Sequence, residues 1–161
     1  FVNASVEEII KTVDSCGLDG AQLHGTEPPE VVAELNHHGI SVMKSLFASK
    51  APGFNDAGQY AAAAYLVECG QGKLPGGNAK VWDWADAAPI GQNYPLILAG
   101  GLSPDNIGEA ITAALPDAVD VSSGVEISPG KKDMEKVRAF INTVRALNTD
   151  KIYNRPLRRI F

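Results

Sequence analysis

The chain has 161 residues, of which 45% are apolar and 20% charged, and it carries a net charge of −5 at pH 7. One compact domain is expected at that length, since about 150 residues per domain is the ordinary ratio. The composition excludes a disordered, collagenous or coiled-coil chain. No apolar run approaches the ~18–20 residues of a membrane span, so a membrane partner is not expected. No charged segment followed by an apolar stretch opens the chain, which predicts no signal peptide. The first residue is Phe1 rather than a methionine, which predicts a processed chain or a fragment.

Residues 148–161 hold Lys151, Arg155, Arg158 and Arg159 against Asp150, a net +3 that leaves −8 on the first 147 residues. An acidic body repels a phosphate backbone, so nucleic acid is excluded as a general partner. The basic tail reads as a frayed, solvated end. Cys16 and Cys69 are too few for a disulfide scaffold and fit a reduced, cytoplasmic setting.

In chain order, Val6, Ile9, Ile10 and Val13 recur at helical spacing over 5–16, with Ser5 and Glu8 in capping-box positions and Gly17 as the stop. Residues 20–25 read as a short buried strand. Pro28 and Pro29 open a second helix that ends at Gly39. Residues 40–47 form the next strand, the alanine-rich 56–63 a helix, and 64–69 a third strand. A glycine-rich loop over 70–79 leads to a short helical turn over 82–88, where Asp83 reads as an N-cap and Trp82 and Trp84 as packing residues. A fourth strand covers 94–99. Ser103 and Pro104 then read as the cap and first position of a helix. A fifth strand covers 118–121, a loop 122–130, and a long amphipathic helix 132–147.

Strands alternating with helices about every 30 residues imply a parallel sheet with right-handed crossovers. That pattern is shared by doubly wound sheets and barrels. A complete eight-unit barrel needs at least about 200 residues, so a barrel here would be five units of eight.

The chemistry gathers at strand ends. After the fourth strand, Gly100 and Gly101 let the backbone approach an anion, and the following helix start offers free N–H groups. Asp120-Val121-Ser122-Ser123-Gly124-Val125-Glu126 repeats the arrangement after the fifth. Two such loops in consecutive units predict a phosphate site. Glu68, at the end of the third strand, is placed for acid–base work. His24 closes the first strand, where it suits either a pocket wall or a hydrogen-bonded structural role. Cys69 reads as a small packing residue. The histidines have no acidic or thiol neighbours at metal spacing, so no metal is expected.

Taken together, Gln22-Leu23-His24-Gly25, Pro75-Gly76-Gly77-Asn78 leading to Trp82-Asp83-Trp84, Leu98-Ala99-Gly100-Gly101-Leu102, Asp120 to Glu126, and Pro129-Gly130-Lys131-Lys132-Asp133 resemble phosphoribosylanthranilate isomerase. The resemblance runs in order over 1–147, with 148–161 left as the basic tail. It implies a partial (β/α)8 TIM barrel covering roughly strands four to eight. The activity it implies is the Amadori rearrangement of N-(5-phosphoribosyl)anthranilate to 1-(2-carboxyphenylamino)-1-deoxyribulose 5-phosphate in tryptophan biosynthesis, with no metal and no organic cofactor.

By the same resemblance Glu68 is the general acid, at a position where many relatives have aspartate. Gly100, Gly101, Ser123 and Gly124 grip the phosphate, Asp120 meets substrate hydroxyls, and His24, Gly76 and Gly77 contact substrate. The stretch Gly76-Gly77-Asn78-Ala79 departs from the commoner Gly-Gly-Thr/Ser-Gly. The family's general base, a cysteine in a Lys-x-Cys-Gly stretch, and its carboxylate-binding arginine have no counterpart in the sequence. Phe1-Val2-Asn3 resembles the end of the third strand. The expectations are therefore a chain inactive alone, self-association through its open edges, or completion by an N-terminal barrel segment. The alternatives are half of a split enzyme and a non-catalytic phosphate-binding module.

Overall fold

The computed structural model describes residues 1–70, 82–147 and 149–160. Helix α1 (Val6–Cys16) begins at the Ser5–Glu8 capping box, in which both reciprocal bonds form, and ends at Gly17. Strand β1 (Gly20–Leu23), helix α2 (Pro29–His37), strand β2 (Ser41–Phe47) and strand β3 (Ala64–Glu68) follow. After the undescribed segment come α3 (Ala88–Asn93), β4 (Leu96–Leu98), α4 (Ile107–Ala114), β5 (Ala118–Val119), the strands β6 (Glu126–Ser128) and β7 (Lys131–Lys132), α5 (Met134–Ala146) and α6 (Thr149–Ile152). Among the described residues no helix is long and apolar enough to cross a membrane.

The main sheet has five strands in the order β1-β2-β3-β4-β5, and every neighbouring pair is parallel. Register decides between the two architectures that the sequence left open. Leu23 pairs with Lys44, Lys44 with Tyr65 and Tyr65 with Leu96, so these residues share one face. On that face Ala21, Leu23 and Val42 pack with Ile9 and Val13 of α1 and Val32 and Leu35 of α2. Leu46, Tyr65, Val67, Leu96 and Leu98 pack there with Ile90 of α3, Ile107 and Ile111 of α4 and Phe140 of α5. Among the described residues, helices α1 to α5 therefore all lie on one side, and the strand order does not reverse. A doubly wound sheet would show a reversal and helices on both faces; sequential order with one helical face is the barrel arrangement.

On the opposite face Ala64, Leu66, Ile97 and Ala99 pack with Met43, Ala118 and Ile160 in an apolar cluster. Toward the carboxyl ends of the strands that face becomes polar, and the change positions the site.

Five expectations are corrected. The alanine-rich stretch 56–63 is not a helix but a 3-10 segment, Phe54–Gln59, followed by extended chain. The Tyr65 hydroxyl lies 2.6 Å from Ala57 O and 2.7 Å from Tyr60 O and shares its one proton between them, while Ala57 O also accepts from Tyr60 N–H at 3.2 Å. The helix expected at Ser103–Pro104 begins at Ile107. Asn106 is the reason, because its side chain accepts from Ser103 N–H at 2.8 Å and donates to Gly101 O at 2.9 Å, closing a turn there.

The helical turn expected over 82–88 is a 3-10 segment, Trp84–Ala87, which runs into α3. Asp83 does cap it, accepting from Ala85 N–H at 3.1 Å. The loop 122–130 contains the 3-10 segment Ser123–Val125 and half of the β6–β7 hairpin.

The fifth correction concerns the tail, which is docked rather than frayed. Arg155 and Arg158 both pair with Asp117, whose side chain is fully buried. The Tyr153 hydroxyl donates to Pro116 O at 2.5 Å.

Candidate active site

Because all five strands are parallel, their carboxyl ends meet at one end of the sheet. Glu68 ends β3 and is only 7% exposed. Its Oε1 lies 3.2 Å from Nε2 of His24, the residue after β1. The other ring nitrogen, Nδ1, lies 2.9 Å from Nε2 of Gln22 and 2.9 Å from Oγ of Ser45, on β2. The His24 ring meets Phe47 edge-on, with centroids 5.7 Å apart. Residues from three strands thus converge on one imidazole–carboxylate pair.

The loop after β1 is fastened from beneath. Lys44, fully buried, donates to Gly25 O at 2.8 Å and to Glu27 at 2.8 Å. Glu27 also accepts from Asn3 N–H at 2.8 Å and from Gly25 N–H at 3.1 Å. Burial pushes the Glu27 carboxyl upward, but Lys44 and the Asn3 amide outweigh it and hold Glu27 below its usual value. Burial pulls the Lys44 ammonium below its ordinary value, with Glu27 opposing. A buried pair with its remaining hydrogen bonds satisfied fixes geometry more than it adds stability. Here the geometry it fixes is the turn that carries His24.

After β4, Gly100 and Gly101 take φ of 82° and 71°, a region closed to most side chains. Gly100 is also crowded: a Cβ there would lie 3.1 Å from Trp82 Nε1 and 3.2 Å from Glu68 Cβ. Trp82 and Trp84 do more than pack, because their indole N–H groups donate to Ala99 O at 3.2 Å and Gly100 O at 3.3 Å.

The loops after β4 and β5 touch. A Cβ on Gly124 would lie 1.8 Å from Leu102 O, so no larger residue fits without separating them. Gly124→Ala is expected to destabilise the fold by about 1–3 kcal/mol, the usual range for overpacking. Thermal denaturation of the two proteins, with and without inorganic phosphate, checks this; an unchanged midpoint would mean that the contact is not made in solution.

Asp120 follows β5 and is exposed, yet protein atoms crowd its carboxyl. That desolvation pushes its pKa up; the charges of His24 and Lys132 draw it down, and that of Glu68 pushes it up further. A carboxyl near a second carboxylate at a strand end is the usual setting for divided acid and base roles.

Of the residues singled out from sequence, Glu68, His24, Gly100, Gly101, Asp120, Ser123 and Gly124 all lie at this end of the sheet. Gly76 and Gly77 fall outside the described residues. Sequence reasoning gave no role to Gln22, Ser45, Glu27 or Lys44. The available signal was a lysine and a serine inside the otherwise apolar run Val42-Met43-Lys44-Ser45-Leu46-Phe47.

A sequential parallel β/α array, with helices on one face and polar side chains at the carboxyl ends, is the arrangement of the TIM-barrel class, whose active sites lie at that end. The family model of N-(5'-phosphoribosyl)anthranilate (PRA) isomerase matches residues 1–143, and the chain belongs to that family. The N-(5'-phosphoribosyl)anthranilate isomerase of Desulfatibacillum aliphaticivorans is 50% identical over 150 residues, which cover 93% of this chain and 69% of that protein. The crystal structure of phosphoribosyl anthranilate isomerase from Thermotoga maritima superimposes with a TM-score of 0.80 at 35% identity, covering 91% of this chain and 71% of that one. Another isomerase structure, in complex with reduced 1-(o-carboxyphenylamino)-1-deoxyribulose 5-phosphate, has a TM-score of 0.76 at 34% identity and covers 91% of this chain and 70% of that one.

Proposed function

We propose that the chain supplies strands four to eight of a phosphoribosylanthranilate isomerase barrel and acts in the Amadori rearrangement of N-(5-phosphoribosyl)anthranilate. The observation that carries this reading is the His24–Glu68 pair at the carboxyl ends of the strands, 3.2 Å apart, beside two glycine loops in contact. Opening the ribose ring needs an acid at the ring oxygen, and Glu68 takes that role. Gly100, Gly101, Ser123 and Gly124 hold the phosphate, as paired loops after the last two strands of a barrel do, and Asp120 meets the substrate hydroxyls. The complex of the related isomerase with a reduced phosphorylated product supports a phosphoribosyl ligand here. Removal of the C2 proton needs a base on the opposite side, and the sequence 1–161 holds no Lys-x-Cys-Gly stretch to provide one.

Completion of the barrel by an N-terminal segment is favoured at both edges of the sheet. The Phe1 ammonium donates to Gln22 O at 2.7 Å and His24 N–H donates to Phe1 O at 2.8 Å, a ladder parallel to β1. At the other edge, Val119 and Val121 line an apolar groove of about 430 Å³ with Val137, Ile141 and Val144 of α5, beside a strand with no further neighbour among the described residues. Edges of this kind invite pairing, so the uncompleted chain is expected to self-associate.

The test is isomerase turnover of purified 1–161, alone and mixed with the N-terminal third of a relative carrying the cysteine and the arginine. Turnover only in the mixture is the expected result. Turnover by the chain alone would overturn the incomplete-site reading. Silence in both, with a phosphorylated ligand still bound, would leave a binding module.

A further inference from the structure

The half-buried Gln22 and the buried Ser45 have no place in the chemistry above, yet both meet one atom, Nδ1 of His24, at 2.9 Å. An amide nitrogen has no lone pair to offer, so a ring nitrogen facing it accepts. The Ser45 hydroxyl, 0% exposed on β2, is free to turn its proton toward the same lone pair. A nitrogen that accepts carries no proton, which leaves the imidazole proton on Nε2, the atom 3.2 Å from Glu68 Oε1. The Phe47 ring, edge-on to the imidazole, packs against the ring in this orientation. Among the described residues, the charged groups that interact with His24 are the carboxylates of Glu68, from β3, and Asp120, from the loop after β5.

We propose that Gln22 and Ser45 are positioning residues that fix the Nε2–H tautomer of His24, so that His24 donates to one oxygen of Glu68 and leaves the other oxygen to the substrate. The partner of one ring nitrogen generally sets what the other does. The inference rests on the reading of Glu68 as the acid for its meaning, but not for its test. The tautomer is measured without turnover, so it can fail while that reading stands, and the reverse.

The experiment is nitrogen-15 NMR of the labelled chain 1–161 at about pH 8, above the usual imidazole range, with the His24 ring signals assigned by their loss in His24→Asn. The expected native spectrum has a pyrrole-type Nε2 and a pyridine-type Nδ1, the latter displaced in the direction of an accepted hydrogen bond. In Gln22→Leu/Ser45→Ala the Nδ1 signal is expected to move back to its unbonded position, and in Ser45→Ala alone to move part of the way. The single variant removes only a hydroxyl and keeps the test available if the double variant fails to fold. A protonated Nδ1 in the native chain would overturn the proposal, whether in the other tautomer or in a doubly protonated ring. So would an Nδ1 signal that neither variant moves.

Discussion

In a barrel completed with the N-terminal third of a relative, Glu68→Gln is expected to lower turnover about 10²–10⁴-fold, the range carried by a positioned general acid. Binding of a phosphorylated ligand is expected to stay close to its original strength. The two effects separate because the structure separates their causes. Glutamine keeps the size of the side chain and an oxygen for His24 Nε2, now 3.2 Å from the carboxylate. The neighbouring Gly100 backbone, close enough that a Cβ there would sit 3.2 Å from Glu68 Cβ, has no reason to shift. What glutamine lacks is a transferable proton. The phosphate loops lie after β4 and β5, and Glu68 forms no part of their mutual contact at Gly124 and Leu102. Steady-state kinetics, together with calorimetric titration of a reduced product analogue, checks both halves. Turnover within a few-fold of the unaltered protein would remove Glu68 from the acid role. Loss of ligand binding with turnover per bound substrate intact would make it a binding residue instead.

What could be read from the residues was what is encoded over a few positions. The Ser5–Glu8 capping box formed as its spacing implied, and Gly100-Gly101 proved to be a pair of left-handed positions at a strand end. Asp83 capped the segment that follows it. The errors fell where a distant or competing polar group overrode a local preference. The alanines after Asp56 favour a helix, but the Tyr65 hydroxyl shares its proton between the carbonyls of Ala57 and Tyr60. Ser103-Pro104 is a good helix start, but the Asn106 side chain closes a turn first. The site itself is non-local in the same way. His24 and Glu68 are 44 residues apart in the chain, and no spacing rule joins them. The choice between a doubly wound sheet and a barrel was equally hidden, because both share the strand–helix alternation and only the side on which the helices pack tells them apart.

Deletion of residues 148–161 is expected to destabilise the protein by about 3–5 kcal/mol, the usual loss when a buried charge is stripped of its partners. Asp117 opens the turn into β5 and its side chain is fully buried. It accepts from Arg155 at 2.5 Å, from the Arg158 backbone at 2.8 Å and side chain at 3.2 Å, and from the Leu96 amide at 3.0 Å. Without the tail only the Leu96 amide remains among these partners, so a carboxylate is left in the floor of the sheet with most of its compensation gone. Ile160 leaves at the same time, uncovering Leu66 and Ile97.

The pH dependence separates the charge from the lost packing. Burial pushes the Asp117 carboxyl upward, but the bonds from Arg155, from the amides of Arg158 and Leu96, and from the Arg158 guanidinium outweigh it, and the folded-state pKa is lowered. A carboxyl with a lowered pKa binds fewer protons folded than unfolded. Its stabilisation is therefore full above the ordinary carboxylate value of about 3.9 and is lost as the pH falls through the lower folded value. Asp117→Asn keeps the shape and removes that term. The stability gap between the unaltered chain and Asp117→Asn is expected to be constant near neutral pH and to close as acid is added, as read from urea midpoints across the series. The part of the deletion's cost that comes from Ile160 is not expected to respond to acid. A gap that widens as the pH falls would mean that Asp117 is protonated in the folded chain and that the two arginines are not its partners in solution.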